Sequence, residues 1–341
     1  MVIVYNVRWT CTSGPGGGGS NNPDPNPNPG SGDGGDDECY DCLPTEPIPG
    51  EEECTTSLCT LDTVLEPYAL EAGTRLWMSS QYRQALLSDV LDFIIYENDN
   101  SDESKLFSIE GMEAERNGGE VDFVYKVIVD DSFKDNQCLM NVYEAMGKAP
   151  IFDNYLQNFD SDMSVANLKF SGSSTLPDTI NVQTNPPISN NQIEIEFNLN
   201  NLDRPSLDVA RTLIHEMIHA TMFRWLLESA ETGALSPENG MTQTQLINYI
   251  DNLKNNFPGL YDYYYDRRLP DWSHEQMAAH FIGIIKNALQ EYDPSQTEET
   301  YEALAWVGLK NKISWNNLLQ LERDNYDQVR QDFISNNSNC Q

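Results

Sequence analysis

Basic residues are scarce in this chain. Twenty lysines and arginines stand against 54 aspartates and glutamates, a formal net charge of −34 over 341 residues. A phosphate backbone or an anionic lipid surface is bound by Lys and Arg displacing its counterions, so nucleic acid and acidic membranes are excluded as partners. The same charge makes a solubilising surface suited to salt or to an extracellular medium, and through steering it weakly favours cationic or neutral substrates. Long apolar runs are also missing. No stretch reaches the roughly 18 residues of a transmembrane helix, so no membrane span is expected. The first residues, MVIVYNVRWTCTS, lack a basic segment followed by a long apolar one and do not read as a secretory signal. The expectation is a fragment of a longer secreted protein, or a chain exported by another route, and hence an extracellular location.

Large side chains are missing from Ser13 to Glu38, where nothing apolar bigger than proline occurs. Such a segment cannot bury enough surface to offset its ordering entropy, so 13–38 reads as a linker. It sets residues 1–12, a remnant strand or tail, apart from the rest. Residues 39–60 form a cysteine-containing segment with Cys39-x2-Cys42 and Cys54-x4-Cys59. Disulfides stapling a segment with little core are the favoured reading; a four-cysteine zinc knuckle is the competing one. The count of seven cysteines leaves at least one thiol unpaired within the chain.

The main domain is expected over 61–341. Ser80–Glu97 reads as an amphipathic helix, VDFVYKVIV (121–129) as a strand, and roughly 134–147 as a helix. Further strands are expected near 164–170 and 179–183. The clearest strand is QIEIEFNL (192–199), with Ile193, Ile195, Phe197 and Leu199 on one face. From Ser206 the chain turns helical: 206–230, 242–255, 273–291, 297–309 and 314–333. Strands followed by helices predict an α+β domain, with a small mixed or antiparallel sheet and a mostly helical C-terminal lobe. The acidic stretch ENDNSDES (97–104) and the pair Asp160, Asp162 miss the register of a calcium loop and read as solvated turns.

Histidine is scarce as well. There are four, and they fall in two clusters. Residues 212–223, TLIHEMIHATMF, hold His215, Glu216 and His219. At about 100° per residue, the two histidines lie one turn apart on one helix face, so both imidazoles reach one ion. Glu216, beside them, is placed to take a proton from a water that Zn2+ activates. Ser206 and Pro205 are start signals for this helix. A third ligand is sought in SHEQMAAHFIGIIKNALQEY (273–292). Glu275 shares a face with Ala278, Ala279 and Ile282, which would let the helix approach another closely, and is the first choice; His280 and His274 are the alternatives. The stretch YDYYYDRR (261–268) offers a hydroxyl for the developing oxyanion, with Tyr264 or Tyr265 as candidates.

These motifs resemble the zincin metallopeptidases, and in particular their gluzincin branch. Glu275-Gln276-Met277-Ala278 is similar to the Glu-x-x-Ala segment of lethal-factor-like toxin proteases. The resemblance spans about 160–290. It implies a zincin-like fold, His215, His219 and Glu275 as zinc ligands, Glu216 as general base, and a peptide or protein substrate paired with an edge strand, for which 192–199 is the candidate. The sequence departs from thermolysin-type enzymes at Ala279, where those carry an acidic residue, and from metzincins, since no His-x-x-Gly-x-x-His extension follows His219. SprT-like proteases take a later histidine as ligand, which keeps His274 and His280 open. The expected function is zinc-dependent peptide hydrolysis. A catalytically silent zincin-like binding module of a secreted assembly, or a toxin-like protease with one specific substrate, are the rivals, and an intact Glu216 argues against the silent module.

Overall fold

The computed structural model describes residues 56–147, 167–186, 192–237, 240–268, 274–310 and 312–340. They belong to the second of two units, Glu53–Gln341. The expected tail, linker and first three cysteines of the 39–60 segment lie outside the described residues, as do Asp160 and Asp162.

Four helices come first: α1 (Ser57–Leu65), α2 (Ala72–Met78), α3 (Gln84–Asp92) and α4 (Asp102–Asn117). The predicted 80–97 helix is present in three parts, because a 3-10 turn precedes α3 and a π turn at Phe93–Glu97 follows it. The 97–104 stretch is only partly a loop. Ser101 accepts a hydrogen bond from the Ser104 N–H at 3.2 Å and caps α4, whose first turn carries Asp102 and Glu103. Carboxylates there meet the positive end of the helix dipole. α4 stops at Gly118, whose φ of 107° needs a residue without Cβ. Leu61, Leu65, Met78, Leu87, Val90, Phe93 and Phe107 from these helices form a small separate core that reaches the sheet through Ile128.

The sheet has five strands in the order β1-β2-β3-β5-β4: β1 (Glu120–Asp122), β2 (Val127–Val129), β3 (Leu168–Ser173), β4 (Val182–Asn185) and β5 (Ile193–Asn198). The single strand expected over 121–129 is a hairpin, with Lys126 in a left-handed conformation at its turn. β2, β3 and β5 run parallel, while β1 and β4 are antiparallel to their neighbours. The sheet is therefore mixed and the domain α+β. β5 alternates as its sequence predicts: Ile193, Ile195 and Phe197 enter the main core, Glu194 and Glu196 point away. Its place differs from the expectation, because β5 lies between β3 and β4, and the edge strand on that side is β4.

α5 (Asp131–Lys134) and α6 (Gln137–Ala145) link β2 to the region before β3. After β5 comes α7 (Ser206–Glu231), 26 residues or about 39 Å long. Pro205 itself occupies the N-cap position, and no side chain caps this end. Every residue of α7 from Leu207 to Phe223 is buried, while Glu228 and Glu231 in its last turns are exposed, so the first two thirds of the helix run through the main core. Around it pack α8 (Gln243–Asp251), α9 (Phe257–Arg268), α10 (His274–Tyr292), and α11 (Glu298–Ala305) with the 3-10 turn Trp306–Leu309. The predicted 314–333 helix is two, α12 (Ile313–Asn317) and α13 (Gln320–Asn336). No helix among the described residues is long and apolar enough to cross a membrane.

A disulfide joins Cys138 of α6 to Cys340. It fastens the end of the described chain beside the start of α7, where the Cys340 N–H donates to the Arg204 carbonyl at 2.8 Å. Cys59 is disulfide-bonded too.

Candidate metal centre

His215, Glu216 and His219 occupy consecutive turns of α7, and their ligand atoms lie within 4.8 Å of one another. The two imidazole centroids are 4.3 Å apart. All three side chains are more than nine-tenths buried. Burial, then the neighbouring His219 and Arg211, hold the His215 pKa well below its ordinary value. The imidazole is consequently neutral at pH 7, with a lone pair available for a metal.

Glu216 is held from two sides. The Thr184 hydroxyl donates to its Oε2 at 2.7 Å, and His219 Nδ1 lies 3.1 Å from the same oxygen. Thr184 belongs to edge strand β4, so the strand and the glutamate are coupled directly. Above them opens a cleft of about 460 Å³, bordered by β4 and the segment before it, by α7, and by the turn holding Gly308. Gly308 packs against the other side of His215: a Cβ there would come within 2.4 Å of the imidazole Cε1 and Nδ1. Only glycine lets this turn lie so close to the ring.

Of the residues expected at the site, the structure brings together His215, Glu216 and His219. Glu275 stands elsewhere. Its side chain is exposed, accepts a hydrogen bond from Asn317 Nδ2 at 3.0 Å, and lines a different cavity of about 430 Å³ with Ala278, Ala279 and Ile282. α10 presents Phe281, not a carboxylate, to His215, with ring centroids 5.8 Å apart. The alanine face does allow close approach, but toward α12 and the Trp306 turn. His280 is half-buried and outside the group, and His274 opens α10 with a side chain outside those described. Tyr264 is fully buried against Trp225, at 5.6 Å between centroids, and Tyr265 is partly buried beside the main core. Neither lines the cleft.

Thr184, Gly308 and Arg211 are among the site residues that sequence reasoning missed. A threonine in a short strand and a glycine in a helical turn carry no local signal of their distance from the motif. Arg211 carried one: it precedes His215 by one helical turn and so lies on the same face. Comparison with protein-family models, with curated proteins and with solved structures finds no match.

Proposed function

We propose that the chain is a zinc-dependent peptidase of zincin type, with Glu216 as general base. One observation carries the reading: two buried imidazoles and a carboxylate converge on α7 at the floor of a cleft, and the edge strand beside that cleft anchors the carboxylate. The donor set fits zinc. His215 and His219 would supply two of the three protein ligands that a catalytic zinc takes, and the open cleft side leaves a position to water and substrate. Bound there, zinc supplies Lewis acidity, bringing the pKa of water to about 7 and polarising a peptide carbonyl.

The chain's own groups do the rest. Glu216 accepts the proton of the attacking water and returns it to the leaving amine. Thr184 keeps Glu216 Oε2 oriented toward the cleft. β4 offers a backbone ladder to an extended peptide. The Asn198 N–H bonds the Asn181 carbonyl at 2.9 Å, and the alternation of an antiparallel pair then turns the backbone groups of Val182 and Thr184 outward. Three disulfide-bonded cysteines, Cys59 and the bridged pair Cys138 and Cys340, support an oxidising and hence extracellular setting.

The test pairs zinc content with turnover. Purified protein should carry about one zinc per chain, and Glu216→Gln should retain it while losing peptide hydrolysis by at least a hundredfold, the scale of a lost general base. Equal turnover in the variant removes Glu216 as the base, and zinc binding with no turnover in the wild type puts the binding module in front. Glu275→Ala settles the third ligand: unchanged zinc leaves Glu275 as the partner of Asn317, whereas lost zinc assigns it to the metal.

A further inference from the structure

The charge of the cleft is opposite to the charge of the molecule. Net charge is −34, yet among the residues lining the cleft three are cationic, Arg211, Lys254 and Lys310, and Glu216 is the one carboxylate. Arg211 is the least accessible of the three, at 6 % exposure. Its Nη2 donates to Asp208 Oδ1 at 3.0 Å, and its Nε, fully buried, has no acceptor among the described residues. Asp208 does not neutralise it alone, because Arg204 claims the other oxygen, Oδ2, at 2.8 Å. Two guanidiniums on one carboxylate leave a net positive charge in a buried site, which is costly unless an anion completes it. That charge sits one turn before His215, at the wall of the cleft.

We propose that the cleft selects substrates bearing a carboxylate, with Arg211 as the anchoring residue and Lys254 and Lys310 as the cationic rim. A planar carboxylate matches the guanidinium fork, and the side of Arg211 that borders the cleft is where it would dock. Lys310 is already ion-paired to Asp327, so it contributes field more than contact. Lys254 is exposed at the rim and steers anions in from a surface that otherwise repels them. The substrate class is thus acidic peptide: either an Asp or Glu side chain or a free C-terminal carboxylate near the bond to be cut. The proposal rests on the peptidase reading only for what happens to the peptide once bound.

The test is therefore binding. Zinc-loaded full-length Glu216→Gln protein is titrated with four dansyl-labelled peptides of otherwise identical sequence: neutral and amidated, with one Glu, with one Lys, and neutral with a free C-terminal carboxylate. The Glu or free-acid peptide should bind about tenfold or more tighter than the neutral one at low salt, and which of the two gains identifies the source of the carboxylate. Adding Arg211→Gln should abolish that advantage, and Arg211→Lys should restore part of it. Because Arg211 is tied into a buried network, Lys254→Met at the exposed rim is the companion variant, expected to lower the advantage by roughly two- to threefold. Equal affinity for all four peptides, no binding of any, or an acid preference untouched by both substitutions overturns the proposal. Glu216-dependent turnover that ignores peptide charge would leave the peptidase reading standing without it. An Arg211-dependent acid preference without turnover would do the reverse.

Discussion

Glu216 and Thr184 are 32 residues apart and share a 2.7 Å hydrogen bond in a buried site. A hydrogen bond to a charged group is worth about 1.5–3 kcal/mol, so Thr184→Val should lower kcat by on the order of tenfold or more, with zinc content unchanged. A variant with wild-type kcat would show that Glu216 needs no anchor. His215 makes a second expectation. Its folded pKa lies well below the ordinary 6.5, so the metal-free fold binds fewer protons than the unfolded chain at acid pH. That contribution to stability is whole above about 6.5 and shrinks as pH falls toward the folded pKa. Urea midpoints of chelated protein should drop between pH 7.5 and 5, and zinc affinity should weaken over the same interval. A flat profile would mean that His215 is protonated in the fold. Much of this scale was legible. His215, Glu216 and His219 come together through helix periodicity alone, which neighbours in sequence dictate. Thr184 and Gly308 were not legible, because strand pairing and the packing of a distant turn bring them in. Tyr264 and Tyr265 misled for the same reason: six aromatic or basic residues among eight are visible in the sequence, but the helix face each occupies depends on what α9 packs against.

Among the elements, β4 and β5 divide a role that the sequence suggested for one strand. QIEIEFNL is the more regular pattern because it is central, paired on both sides and buried on one face. An edge strand needs no such regularity, and the four residues of β4 (Val182–Asn185) show little. Val182→Pro tests the edge. Its N–H points away from β5, so proline there costs the sheet no ladder bond, but a peptide docking on β4 loses a donor. KM for peptides should rise severalfold at unchanged zinc content; an unchanged KM would place the substrate elsewhere. α4 and α9 went unread because each is patterned ambiguously. α4 begins inside an acidic stretch that looks like a turn, and α9 carries tyrosines and charges on every side. α7 was legible as a helix, and its depth followed from the unbroken apolar flanks of the motif.

At the scale of the whole domain, two cores meet across the sheet at β2, where Val127 and Val129 face the larger and Ile128 the smaller. The Cys138–Cys340 bridge, 202 residues apart in sequence, closes nearly all of the larger core into one loop. Loop-closure entropy sets its contribution at about 2–5 kcal/mol. Cys340→Ser should lower urea-unfolding stability by that order, and reductant should have no further effect on the variant at this position. Stability equal to wild type would show that the bridge constrains nothing the fold does not already hold. Neither cysteine was picked out in advance, since spacing signals pairs that are close in sequence and this pair is not.

β4, α7, the Gly308 turn and each residue of the cleft fall between positions 138 and 340. The apparatus therefore sits on a covalent ring. A protease that nicks a single peptide bond anywhere on that ring releases no fragment: the two new ends stay tethered, and the cut becomes visible on a gel only after reduction.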